Sequence, residues 1–248
     1  MADRPVPEHV GSSPCLTRAQ ARAFYDRFGS KQDGQAFYED AAVQDLLAHA
    51  EFEKANAVFE FGCGTGRFAE TLLTHHLPAA ARYVGRDVST TMVDLTRQRL
   101  ARFADRADVR LTDGAPRIEA PDAALDRFVS NYVLDLLTAG DIADVLSEAR
   151  RVLTAEGRLC VVSLTHGSTP ASRLVSWLWA RVHRLRPQLV GGCRPLALLP
   201  FLSQDGWRTI HHNVIVAYGI PSEIVVAETR AMPRWNSGTG CAPAQSAA

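Results

Sequence analysis

The apolar run Val58-Phe59-Glu60-Phe61 passes directly into Gly62-Cys63-Gly64-Thr65-Gly66, and a helical pattern over 67–75 follows at once. Few backbones satisfy such a junction. A strand has to turn sharply into a helix, and alternate glycines remove the Cβ atoms that would obstruct both the turn and a ligand lying against the main chain. The helix start beyond them exposes backbone N–H groups that have no partner within the helix. The junction therefore predicts a strand–turn–helix unit with a ligand held against the turn.

Strand and helix patterns alternate on either side of it. Short apolar runs at 82–85, 109–111, 127–130 and 158–164 read as strands, and 90–103 reads as a helix capped by Ser89. The clearest helix is 141–153, where Ile142, Val145, Leu146, Ala149, Val152 and Leu153 share one face, with Asp141 as its cap and Gly157 stopping the segment. This alternation predicts a mainly parallel sheet covered on both faces. After Thr165 the pattern changes to a Trp- and Arg-rich helix over 171–186, the turn Gly191-Gly192-Cys193-Arg194-Pro195, a short helix ending at Gln204-Asp205-Gly206, and two strands at 207–215 and 223–228.

Lys plus Arg and Asp plus Glu are 27 each in the 248 residues, so no global field draws the chain to nucleic acid or to an anionic membrane. Cys15, Cys63, Cys160, Cys193 and Cys241 are scattered without CxxC or Cys/His spacing, which predicts neither a disulfide framework nor a zinc site. No leader-like apolar core and no membrane-length run is present, and a reduced cytoplasmic setting is expected.

A dinucleotide loop reads G-x-G-x-x-G, and its third glycine would fall at Arg67. The order here is Glu60-x-Gly62-x-Gly64-x-Gly66, which resembles the first motif of the class I, Rossmann-like S-adenosylmethionine-dependent methyltransferases of small-molecule type. The resemblance extends over roughly residues 52–228. Tyr83-Val84-Gly85-Arg86-Asp87-Val88 ends the second strand as the family's second motif does, Leu111-Thr112-Asp113-Gly114 ends the third, and Asp126-Arg127-Phe128-Val129-Ser130-Asn131-Tyr132-Val133-Leu134 resembles the fourth. The later L-x-x-G-G-x-L stretch matches loosely, with Glu156 in place of its first glycine.

The resemblance implies an α/β fold with a seven-stranded, mostly parallel Rossmann-like sheet, its last strand antiparallel, helices on both faces and an N-terminal helical cap. It implies one methyltransferase domain over 15–230, divided into a cap or lid (15–54), a cofactor-binding core (55–165) and acceptor-side helices and last strands (166–230). Disordered ends are expected at 1–14 and 231–248. The implied cofactor is S-adenosyl-L-methionine, held by Gly62, Cys63, Gly64 and Gly66. Glu60 would orient its ammonium group through water or backbone, Asp87 would take both ribose hydroxyls, and Asp113-Gly114 would meet the adenine. Val88, Met92, Ser130 and Asn131 complete the expected contacts. Tyr25 and Tyr38 come from an aromatic set around Lys31-Gln32-Asp33-Gly34; they either fold over the cofactor and acceptor as a lid or pack the domain edge.

The acceptor is expected to be a small molecule, with apolar, quinone- or lipid-like compounds among the options, touched by Tyr38, Tyr132, His166 and Arg194. His166, or one of His211 and His212, is a candidate base for a phenol or acid; His166 otherwise contacts the acceptor or is solvated. Arg194 binds an acceptor anion or is a surface charge. No ligand set for a metal stands out, so metal-independent in-line transfer is expected. The Trp177/Trp179 helix suits a membrane interface or an apolar acceptor, while the plainer expectation is that both rings plug the core edge. Two other functions stay open: an NAD(P)-dependent oxidoreductase, disfavoured by Glu60 and Arg67, and a cofactor-binding module without turnover.

Overall fold

The structure, a computed structural model, describes residues 15–204 and 206–229. The expected disordered ends at 1–14 and 231–248, and Cys241, lie outside the described residues. Seven strands form one sheet in the order β3-β2-β1-β4-β5-β7-β6: β1 (Ala57–Phe61), β2 (Arg82–Asp87), β3 (Ala107–Leu111), β4 (Leu125–Asn131), β5 (Leu153–Leu164), β6 (Trp207–Ala217) and β7 (Ile220–Thr229). The first five pair in parallel, and β7 runs antiparallel to both β5 and β6. The β6–β7 hairpin thus folds back so that β7, last in sequence, lies inside the sheet. Seven buried residues in a row along β7 follow from that position, because an interior strand has no solvent face.

Side chains of β1 alternate between two cores. Val58 joins Leu46, Phe52, Leu72 and Val93 on one face, whereas Phe59 and Phe61 join Phe128, Ile142 and Leu146 on the other. The second face is covered by α5 (Ala139–Val152), which buries Ile142, Val145, Leu146, Ala149 and Val152, the stripe expected from the sequence. Its cap is Thr138, whose hydroxyl accepts from the Asp141 N–H, so Asp141 sits in the first turn instead of capping. β5 follows α5 directly and already contains Gly157, which therefore stops nothing. The first face carries α3 (Arg67–His75) and α4 (Thr90–Arg99), the latter capped by Ser89 as expected and shorter than the pattern suggested.

Before the sheet come α1 (Arg18–Phe28), which lies against α4, a 3-10 segment (Gly29–Gln35), and α2 (Ala36–His49), which packs on the first face over β5, β7 and β6. Polar latches hold this cap down. Asp26 accepts from the Ser89 hydroxyl at 2.6 Å, Asp33 accepts from Arg99 at 2.6 Å, and the Arg22 guanidinium donates to the Val88 carbonyl at 2.8 Å. Beyond β5, α6 (Pro170–Leu185) and α7 (Leu199–Gln204) flank the turn at 191–194.

Candidate functional site

The C-terminal ends of β1, β2 and β4 meet beneath the cap, and the glycine turn sits at their centre. Gly62, Gly64 and Gly66 all have positive φ, at 82°, 53° and 78°. A Cβ on Gly62 would lie 2.4 Å from a methyl of Val133, and one on Gly66 would lie 2.8 Å from Thr96. The turn is therefore closed to side chains both by its dihedrals and by its neighbours. α4 fixes it from below, through the Thr96 hydroxyl donating to the Gly64 carbonyl at 2.6 Å.

Asp87 follows from this geometry. It ends β2 with its side chain buried, and its two oxygens accept from the Gly64 N–H and the Ser89 N–H, each at 2.9 Å. Burial raises its pKa, opposed by those backbone hydrogen bonds. Each oxygen keeps a lone pair for a further donor. The cleft that Asp87 floors is also walled by Tyr25, Gly62, Gly64, Val88, Met92 and Gly114, together with Asn131 and Tyr132.

A second hollow adjoins it, sharing Gln32, Gly62, Gly64, Asn131 and Tyr132 as common walls and adding Glu60 and Cys63. Glu60 is buried and accepts from the Tyr83 hydroxyl. Its pKa is raised to about 8, chiefly by burial, with Tyr83 opposing and Asp87 reinforcing. Burial also holds the Cys63 thiol protonated, which removes it as a nucleophile.

Among the described residues, three of the buried side-chain polar atoms without a partner belong to the shared walls of these two hollows: Gln32 Oε1 and both amide atoms of Asn131. Ser130, expected beside Asn131 in the site, is fully buried and lines neither hollow, because successive side chains of β4 point to opposite faces. Buried polar groups normally find partners, so several orphans on shared walls mark a surface shaped for a polar ligand. Gln32 was not singled out by the sequence. It lies in the 3-10 segment of the cap, and only the folding of that segment over Gly64 brings it in; nothing in its own neighbourhood signals this.

Other expected site residues fall elsewhere. Asp113 is exposed, with its carboxylate turned back to accept from the Ala115 N–H at 2.8 Å. It lines a larger open groove of about 1220 Å³ between the loop after β3 and α5, not the cleft of Asp87. The Asp-Gly pair closes a tight turn, and the local hydrogen bond outcompetes reach into the cleft. Arg194 is no surface or pocket charge: it is buried, and its guanidinium donates to the Asp135 carbonyl at 3.0 Å. His166 is exposed after β5 and walls neither hollow. His212 bonds Glu223 at 3.0 Å and His211 bonds Asp45 at 2.6 Å, so both are engaged away from the cleft.

Tyr38 is buried under the cap and meets Tyr132 edge to face at 5.9 Å without walling the cleft, whereas Tyr25 does wall it. Tyr132 adopts φ of 54°, unusual for a side chain of that size, and bonds Ser222 at 2.9 Å. Asp45, His49 and His211 bring ligand-type atoms within 4.8 Å of one another at the α2–β6 contact. Their imidazoles stack face to face at 3.6 Å, and the Asp45–His211 bond satisfies them internally.

Residues 59–159 match a methyltransferase domain family. Over 174 residues, 69% of this chain and 60% of the relative, the sequence is 31% identical to a malonyl-acyl-carrier protein O-methyltransferase of Erwinia pyrifoliae; the match thus spans about three fifths of that relative. Solved structures share the fold at lower identity. The 4+2 cyclase SpnF superposes with a TM-score of 0.66 at 18% identity, covering 88% of this chain and 99% of that one. An O-methyltransferase family protein of Burkholderia thailandensis gives 0.66 at 16%, covering 90% and 67%. A geranyl diphosphate methyltransferase in complex with GPP and sinefungin gives 0.59 at 12%, covering 77% of each chain. The glycine turn, the strand order and these likenesses agree: the chain carries a methyltransferase domain over residues 59–159, built on the class I, Rossmann-like sheet.

Proposed function

We propose that this protein transfers a methyl group from S-adenosylmethionine to a small, amphiphilic acceptor without a metal. One observation carries the reading: a turn of three positive-φ glycines, a buried strand-end carboxylate and unpartnered buried amide atoms line two adjoining hollows with shared walls. The residues fit the donor chemically. Asp87 would accept from the ribose hydroxyls, Met92, Val88 and Gly114 would flank the base, and Asn131, Gln32 and Glu60 would meet the amino-acid end. When bound, the donor supplies a sulfonium-activated methyl group, so the chain's own tasks are to orient, desolvate and hold protons.

Tyr25, Tyr132, Val133, Leu136 and Leu137 give the cleft an apolar side, which suits an acceptor with an apolar portion. The malonyl-acyl-carrier protein relative and the sinefungin-bound neighbour are consistent with this chemistry. Asp113 is assigned no contact with the base. His166 is too exposed to be favoured as a base, and an amine or an already ionised acid would need none.

Calorimetry with S-adenosylhomocysteine and with NADH tests the donor, and a screen of phenols, amines and carboxylic acids with labelled donor, read by mass spectrometry, tests the transfer. Binding of NADH but not of S-adenosylhomocysteine would overturn the reading.

A further inference from the structure

Helix α6 is built inside out. Its buried positions are Ser172, Ser176 and His183, and they serve the polypeptide beneath: the Gly167 N–H donates to Ser176, and His183 bonds the Gly192 carbonyl at 3.0 Å. Trp179 joins them by donating to the Cys193 carbonyl at 2.9 Å. At 3.6 residues per turn, Leu174, Trp177, Leu178, Val182 and Leu185 fall on the opposite side. That side faces water: Leu174 and Trp177 are each 57% exposed and Leu185 is 75% exposed. The expectation that both tryptophans plug the core edge thus holds for Trp179 only in part and fails for Trp177.

The apolar surface does not stop at the helix. Leu189 continues it beyond the helix end, Gly219 of the β6–β7 turn packs beside Val175, and the exposed Tyr218 ring meets Phe37 of the cap at 5.3 Å. All of these lie at the end of the sheet where β5 finishes and β7 begins, the end that also carries the glycine turn. Charge is equally one-sided. The chain is neutral overall, yet no Asp or Glu occurs between Glu156 and Asp205. Arg173, Arg181, Arg184 and Arg186 stand exposed along or just after α6, and Arg181 lies over the Trp177 ring at 5.8 Å.

We propose that this face docks on the surface of an anionic lipid bilayer, with α6 lying in the plane of the interface. An apolar stripe of Leu and Trp flanked by arginines is what such a boundary rewards, since the side chains enter the acyl margin while the guanidinium groups stay at the phosphates. A second copy of this chain is the poorer occupant: a twofold contact would set the same arginines against each other with no carboxylate between them. A rigid acidic protein fits less well, because side chains this exposed stand out from the surface and line no groove. The docking is independent of the methyl-transfer reading and is tested without donor or acceptor.

The experiment is co-sedimentation of the full chain with zwitterionic phosphatidylcholine vesicles and with vesicles containing phosphatidylglycerol, with sedimentation velocity on the free protein. The expected result is binding to the anionic vesicles that weakens with salt, accompanied by a blue shift of tryptophan emission. Arg181→Ala with Arg184→Ala should weaken partition about 25-fold, at about fivefold per arginine near an anionic surface. Leu174→Ser with Leu185→Ser should abolish the blue shift at unchanged circular dichroism. Equal binding to both vesicle types, or none to either, overturns the proposal. So does a dimer that the leucine variants dissociate, binding that appears only after removal of residues 230–248, or vesicle binding unaffected by both double variants.

Discussion

Glu60 makes donor binding pH-dependent in a calculable way. Burial raises its carboxyl to about 8 in the free protein, so at pH 7 about nine tenths of it is protonated. The proposed ligand brings an ammonium group to this end of the cleft, and only the ionised carboxylate pairs with it. Apparent affinity is then the intrinsic affinity multiplied by the ionised fraction. With a pKa of about 8 the penalty is about 100-fold at pH 6, about 11-fold at pH 7 and about twofold at pH 8. The gain from pH 6 to pH 8 is therefore about 50-fold, or about 2.3 kcal/mol. Calorimetry with S-adenosylhomocysteine at pH 6, 7 and 8, in buffers of different ionisation enthalpy, reads both the slope and the proton count. About 0.9 proton should be released per ligand bound at pH 7. Glu60→Gln should bind weakly with little slope. A wild-type change below threefold across this range, or an equal slope in the Gln variant, refutes the coupling.

Four further outcomes follow from the same geometry. Asp87→Asn should weaken S-adenosylhomocysteine binding about 100-fold by calorimetry, since charge-assisted hydrogen bonds are worth about 1.5–3 kcal/mol each and the amide meets the Gly64 N–H donor to donor. Asp113→Ala should change that affinity less than about threefold, the side chain being turned to Ala115. Arg194→Ala should cost about 1–3 kcal/mol of stability, read as a fall in Tm, because it removes a buried guanidinium donor from the Asp135 main-chain carbonyl and leaves only the backbone N–H of residue 194 on it. In the free protein, Glu60 and Asp135, whose carboxyls burial lifts to about 8 and about 7, favour the fold while protonated. Their contribution is complete only below the ordinary carboxyl range, about pH 4, and is lost progressively as pH rises from there toward those values, so Asp135→Asn should flatten the decline of Tm between about pH 5 and 7.

The parts of the site legible in the sequence share one property: their role is settled by neighbours close along the chain. Gly62, Gly64 and Gly66 need positive φ wherever a strand turns so abruptly into a helix. Asp87 ends its strand beside them because β1 and β2 pair in parallel. The stripe on α5 required a buried face whichever sheet covered it. Asp113 looked equivalent to Asp87, since both are acidic residues at strand ends, yet its direction depended on a local contest between a turn hydrogen bond and the cleft. Arg194 and Gln32 lay beyond sequence reasoning altogether. One was drawn inward by a carbonyl 59 positions away and the other was carried over the glycine turn by the cap.

Sequence alone determined the alternating elements, the glycine turn and the methyltransferase domain, because backbone dihedrals and apolar periodicity are local constraints. Tertiary structure decided which polar groups meet across the cleft, which strand lies inside the sheet, and that α6 turns its serines inward and its leucines to water. Those outcomes depend on what packs against each element, and a one-dimensional pattern shows that an amphipathic helix has two faces without showing which one the fold covers.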